Sequence, residues 1–199
     1  MMFPKHITKE EINNLPLRKY EGRIVLITDS DKQEEVFKEL REHAVVGFDT
    51  EARPAFKRGV HYDTSLIQLS VPNKTYLIRL NYTGVSLAFT EFFANPLIKK
   101  VGISIKDDLK DLRKLCSKHH LVFSPDNVLD LNDAAKRLDV KHAGVRKLTG
   151  IFLGFRVSKA QQTSNWENPQ LTEPQMRYAA TDAWVCLEIY QRLAYLGYV

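Results

Sequence analysis

The run Ala44-Val45-Val46-Gly47-Phe48, followed at once by Asp49-Thr50-Glu51, limits the fold more than any other feature of this chain. An apolar run without polar alternation fits a central strand covered on both faces, because a half-exposed strand would turn polar at every second position. Side chains alternate along a strand, so Asp49 and Glu51, two positions apart, point to the same side. Two carboxylates so placed repel each other unless a cation lies between them, and oxygen-rich sites of this kind suit Mg²⁺ or Mn²⁺. The alternative is a strand that runs out into a solvated loop whose acids have no chemical role.

The rest of the pattern supplies layers for such a strand. Arg23–Ile27 reads as a strand, and Ser30 with Gln33 three residues on reads as the cap of a helix whose apolar side is Val36, Phe37 and Leu40. Ser65–Val71 and Thr75–Leu80 are strands joined across Pro72-Asn73-Lys74, a hairpin spacing. Ser86–Ala94 is helical and Ile98–Ile105 mostly strand. Asp107–Lys118 is a helix with Leu109, Leu112 and Leu115 at three-residue spacing, and Val128–Leu131 is a short strand. Asn132–Leu138, Val145–Phe152 and a long Glu173–Leu196 are helical, with an irregular stretch at Ser158–Pro169. These elements predict one α/β domain over residues 21–199: a mixed β-sheet flanked by helices, with a helical C-terminal half. Residues 1–20, with two prolines and little periodicity, read as an N-terminal arm.

Composition removes several classes. At 44% hydrophobic and 27% charged residues the chain is neither disordered, collagen-like nor a coiled coil. No apolar stretch approaches the roughly 20 residues that span a bilayer. The opening MMFPKHITKEE lacks the apolar core of about 7–15 residues that a secretory signal needs. Cys116 and Cys186 have no Cys or His at metal-ligand spacing, so neither a disulfide framework nor a zinc site is expected, and the expected setting is reducing and cytoplasmic. The net charge of +5 permits a polyanionic partner without demonstrating one.

Two further acidic clusters stand out. In Val101-Gly102-Ile103-Ser104-Ile105-Lys106-Asp107-Asp108-Leu109 an apolar strand breaks into a helix with acids in its first turn, which the helix dipole alone would favour. Asp108 adjoins the face buried by Leu109 and Leu112, and Asp107 is turned about 100° from it. On the last helix, Thr172 with Gln175 makes a capping box. Met176, Ala179, Ala180, Ala183, Leu187, Tyr190 and Ala194 form one apolar stripe there. Tyr178 and Asp182 lie nearly opposite, above Val185, Ile189 and Leu193. An acid among apolar residues on a helix packed on two sides is either metal-bound or paired in an ordinary salt bridge.

Asp49-Thr50-Glu51, then Gly102 with Asp108-Leu109 and Leu112, then Tyr178-Ala-Ala-Thr-Asp182 resemble the three motifs of the 3′–5′ exonucleases with four acids and a tyrosine (DEDDy) of the ribonuclease H-like superfamily. Within it the chain is most similar to the ribonuclease D and Werner-type exonuclease branch. Ser65-Leu66-Ile67-Gln68-Leu69 resembles that branch's second core strand. Gly144-Val145, Leu148, Lys159 through Gln162, Ser164, Trp166 and Leu171-Thr172-Glu173 follow its C-terminal pattern in order over about residues 21–196. The resemblance implies a ribonuclease H-like fold and a hydrolase that cuts phosphodiester bonds at nucleic-acid 3′ ends, DNA or RNA, releasing nucleoside 5′-monophosphates. It implies two divalent cations, Mg²⁺ or Mn²⁺, held by Asp49, Glu51, Asp108 and Asp182, with Tyr178 orienting the attacking water. Asp108 is taken over Asp107 because Leu109 and Leu112 follow it as the family's pattern requires. Thr50, between two of the acids, and Gln162 are candidate substrate contacts. Arg53, Phe56, Lys57, Arg58 and His61 form a basic loop with an aromatic, suited to a phosphate backbone and a stacked base or simply to solvent. Lys141, His142, Arg146 and Lys147 form a second such stretch. The alternative to an enzyme is a non-catalytic nucleic-acid-binding module on the same fold.

Overall fold

The computed structural model describes residues 3–57 and 59–199; Met1 and Met2 of the arm and Arg58 of the basic loop lie outside the described residues. The strands are β1 (Arg23–Ile27), β2 (Val45–Ala52), β3 (Thr64–Val71), β4 (Lys74–Ile78), β5 (Lys99–Gly102) and β6 (Val128–Asp130). They form a six-stranded sheet in the order β1-β4-β3-β2-β5-β6. β2, β3 and β4 are antiparallel neighbours, while β1 runs parallel to β4, β5 parallel to β2, and β6 parallel to β5. The β3–β4 hairpin closes on Pro72 and Asn73, and Asn73 takes the left-handed φ of 63° that such tight turns demand.

The helices are α1 (Lys9–Asn14), α2 (Ser30–Leu40), α3 (Leu80–Thr83), α4 (Leu87–Ala94), α5 (Lys106–Lys118), α6 (Leu131–Arg137), α7 (Val145–Leu153) and α8 (Glu173–Tyr195). Residue parity along β2 decides which layer each side chain joins. Val46 and Phe48 enter a core with Phe37, Phe89, Phe92, Phe93 and Leu112 from α2, α4 and α5. Gly47, Asp49 and Glu51 face the opposite way, toward α8, which lies across β2, β3, β4 and β5. Gly47 is required there: a Cβ would come within 2.3 Å of the Ala183 carbonyl oxygen and 2.9 Å of the Leu187 amide nitrogen. Without a side chain, the strand lets α8 descend until the helix and β2 backbones nearly touch.

Four sequence expectations change. The arm contains α1, capped by Thr8 and Glu11 and burying Ile12 against α7; one buried residue in a six-residue helix leaves no period to detect. The cap of α2 is Asp29, whose carboxylate accepts from the Asp31 and Lys32 amides, whereas Gln33 is buried and donates to Thr83 Oγ1 and the Gly84 carbonyl. β5 stops at Gly102 because Asp130 captures the Ser104 and Ile105 amides at 3.0 and 3.2 Å, removing them from the ladder. The apolar stripe on α8 ends early, with Ala194 and Tyr195 exposed. The irregular stretch 158–169 is held down by Arg79, whose buried guanidinium donates to the carbonyls of Trp166, Asn168 and Pro169 at 3.1, 2.6 and 2.9 Å.

Candidate active site

The end of β2 and the middle of α8 meet over Gly47, and the acids of both elements are pressed together. Oxygens of Asp49, Glu51 and Asp182 lie within 4.8 Å of one another. Asp182 is 5% exposed. Burial and the charges of Asp182 and Asp108 hold the Asp49 carboxyl well above the usual range. Burial, then Asp49, Asp182 and Asp108, pushes Glu51 up to about 10. Burial raises Asp182 to about 7, opposed by the Tyr178 hydroxyl directed at it and by the charge of Lys159. Among the described residues, none of these acids forms an ion pair with a lysine or arginine. Crowded, desolvated and all-oxygen, the donor set fits a hard divalent cation.

Asp108 stands outside that trio. Its carboxyl is raised by burial and accepts a hydrogen bond from the Thr50 hydroxyl, while its charge reaches Asp49 and Glu51. Thr50 therefore has a structural duty on the α5 side of β2, and Asp107 is exposed. Tyr178, four residues before Asp182, has its hydroxyl pKa raised by burial and then by Asp182, Glu51 and Asp49, so it stays protonated.

A cleft of about 220 Å³ opens onto Asp182 and Tyr178, lined by Ile103, Ser104, Arg146, Lys159 and the exposed Gln162. Ser104 holds a φ of 61°, and its hydroxyl lies 3.4 Å from His142 Nε2. Of the second basic stretch, Arg146 lines this cleft, while Lys141 and Lys147 do not. On the Glu51 side, Arg53, Phe56, Lys57 and Tyr62 border a hollow of about 550 Å³ with Thr163 and Asn165, and His61 lines a different depression.

Sequence reasoning missed Gly47 and Arg79. The glycine interrupting an apolar strand was a readable sign of close backbone approach. Arg79 carried no sign, because its partners are carbonyls about ninety residues away.

A family model described as a 3′–5′ exonuclease matches residues 24–196. The chain belongs to the 3′–5′ exonuclease family, a family of hydrolases. It is 34% identical over 197 residues to the mouse (Mus musculus) bifunctional 3′–5′ exonuclease/ATP-dependent helicase WRN, covering 93% of this chain and 14% of that protein. It is 30% identical over 172 residues to ribonuclease D of Haemophilus influenzae, covering 84% of this chain and 41% of the relative. The crystal structure of the Aedes aegypti Nibbler EXO domain superposes with a TM-score of 0.76 at 24% identity, covering 91% of this chain and 93% of that one. The ribonuclease H-like mixed-sheet architecture expected from the sequence is the fold of this exonuclease-family chain. Among the described residues, no helix is long and apolar enough to cross a membrane.

Proposed function

We propose that residues 21–199 form a single catalytic domain, a two-metal-ion 3′–5′ exonuclease that hydrolyses the terminal phosphodiester of a nucleic-acid strand and releases a nucleoside 5′-monophosphate. The observation that carries this reading is the convergence of Asp49, Glu51 and Asp182 within 4.8 Å, Asp182 buried and the other two half-buried, with no lysine or arginine ion-paired to them among the described residues. Asp49, Glu51 and Asp182 with Asp108 alongside would hold two divalent cations, Mg²⁺ or Mn²⁺. When bound, such ions supply the positive charge that stabilises both the incoming and the departing oxygen of an in-line displacement.

The chain's own groups account for the rest. The Tyr178 hydroxyl, kept protonated, is directed at Asp182 and is placed to orient the attacking water as a hydrogen-bonding group rather than as a base. Thr50 fixes the Asp108 carboxylate from behind, which gives it a positioning part beside the nucleotide contact proposed for it. Lys159, Arg146 and Gln162 line the approach to Asp182 and suit the phosphates and sugar of an incoming strand. Water is consumed, the P–O3′ bond breaks, and the shortened strand keeps a 3′-hydroxyl. Nucleic acid, DNA or RNA, is the proposed partner. Two buried free thiols, Cys116 and Cys186, suit the reducing, cytoplasmic setting proposed for it.

The test is a 5′-labelled single-stranded oligonucleotide incubated with Mg²⁺ or Mn²⁺. The expected outcome is a ladder shortening from the 3′ end that vanishes in chelator and in Asp49→Ala and Asp182→Ala proteins. Retention of the oligonucleotide without cleavage by the unaltered chain would overturn the reading in favour of a binding module.

A further inference from the structure

We propose that Trp166 is a positioning residue for the acidic centre: its indole N–H orients the Glu51 carboxylate, and its ring braces Tyr178. The inference rests on the metal-dependent reading above and adds a residue that acts through two others.

Trp166 is fully buried, at 0% exposure, yet among the described residues its Nε1 has no hydrogen-bond partner of ordinary distance and angle. Buried tryptophans usually find an acceptor for that group, and a buried donor left unmade is costly. A phenylalanine would fill most of the same space without the cost, so the retained N–H calls for an acceptor nearby. Its surroundings name one. The indole packs in a cluster with Leu66 and Ala179. Leu66 is the direct cross-strand partner of Glu51, so both side chains stand on one face of the sheet. The indole N–H lies within side-chain hydrogen-bonding reach of the Glu51 carboxylate.

The indole ring also lies against that of Tyr178, with centroids 6.1 Å apart and planes inclined by 34°. One side chain thus touches both elements on which the centre is built, the end of β2 and the second turn of α8. The backbone beneath it is fixed from the sheet side by the Arg79 guanidinium on the Trp166 carbonyl, and from α8 by Gln175 Nε2 on the Asn165 carbonyl at 3.4 Å. A rigid donor, a rigid ring and a pinned loop are what support of a carboxylate from behind requires.

Substitution Trp166→Phe removes the N–H and keeps an aromatic. In the full chain, Mn²⁺ affinity measured by calorimetry should fall about tenfold, the low end for lost outer-shell partners. The metal-free melting temperature should fall by no more than a few degrees, the cost of trimming a buried ring to a slightly smaller one. The loss should shrink toward zero in a Glu51→Gln background. Unchanged Mn²⁺ affinity in folded Trp166→Phe protein, or an equal loss in both backgrounds, overturns the proposal. A second measurement needs no variant to fold. The chain has two tryptophans, and Trp184 Nε1 is already bonded to Glu188 at 3.0 Å. On Mg²⁺ titration of the ¹⁵N-labelled unaltered protein, the Trp166 indole resonance should move and that of Trp184 should stay. A Trp166 resonance that ignores saturating Mg²⁺ also overturns the proposal. If the unaltered chain binds no divalent ion at all, the metal-dependent reading fails first, which separates the two failures.

Discussion

The two sides of β2 are made by alternating residues of one strand, and they behave in opposite ways. Val46 and Phe48 enter a core of phenylalanines in edge-on contact, with Phe48–Phe93 at 5.7 Å and 85° and Phe92–Phe93 at 5.3 Å and 86°. Every group there is apolar and fully buried, so packing and burial both favour the fold. Asp49 and Glu51, one residue out of phase, meet Asp182 on the α8 side, where burial and like charge work against the folded state. One face holds the domain together and the other is held together by it. A strand can carry both because alternation separates them by the thickness of a single sheet.

The largest expected effects come from breaking each face in turn. Asp49→Asn should lower exonuclease activity by on the order of 10³-fold, as for other lost electrostatic supports of a transition state. It should leave the metal-free melting temperature unchanged or higher, because it removes a charge that Asp182 and Glu51 repel. Phe93→Ala should do the reverse, costing about 3–5 kcal/mol of stability in denaturant titration while the protein that remains folded retains most of its activity. A stability loss in Asp49→Asn as large as in Phe93→Ala would erase the distinction between the faces.

Gly47→Ala tests the join between them. Its methyl group would sit 2.3 Å from a helix carbonyl, backbone against backbone, so α8 must move away from β2. The expected cost is about 3 kcal/mol, the upper end for overpacking, together with weaker Mn²⁺ binding as Asp182 withdraws from Asp49. Both losses should appear together in thermal melts and metal titrations of one sample.

These two faces also mark what the sequence could disclose. The unbroken apolar run announced a covered strand, and the spacing of Asp49 and Glu51 placed both carboxylates on one side. Parity along α8 put Tyr178 and Asp182 together on a buried face. Such features are legible because each lies within one element and obeys its period. What was not legible depends on partners far along the chain. The length of β5 is set by Asp130, the conformation of residues 166–169 by Arg79, and the helix in the arm by a single buried Ile12. No local pattern in those segments carries the information.

A smaller effect is expected from pH in chelator. Glu51 and Asp182 have folded pKa values raised from 4.5 to about 10 and from 3.8 to about 7. Between the unfolded and folded values the folded state binds more protons than the unfolded state, so stability falls as pH rises. Their contribution is intact below about pH 4 and declines through neutrality, most clearly from pH 5 to 9. Melting temperature in chelator should therefore drop over that range more steeply for the unaltered protein than for Asp182→Asn. Saturating Mg²⁺ should raise it, and raise it more at high pH, because the ion takes the place of protons. A flat profile in chelator would mean that the acids find partners the folded chain does not display.

The smallest effect concerns a residue that belongs to neither face. Phe56 is 83% exposed on the loop leaving Glu51, and it borders the hollow shared with Arg53, Lys57 and Tyr62. Exposure on that scale means its truncation should change stability by no more than about 0.5 kcal/mol. With Phe56 stacked on a base of the bound strand, Phe56→Ala should raise KM for a single-stranded oligonucleotide about five- to tenfold, the low end of the roughly 1–3 kcal/mol per stacked base, and leave kcat nearly unchanged. The p-nitrophenyl ester of thymidine 5′-monophosphate has no upstream base, so its hydrolysis should be indifferent to the substitution. Equal kinetics on both substrates would make Phe56 an ordinary exposed side chain. A loss on both would place it in the chemistry, which its position beyond the bulge at Ala52 argues against.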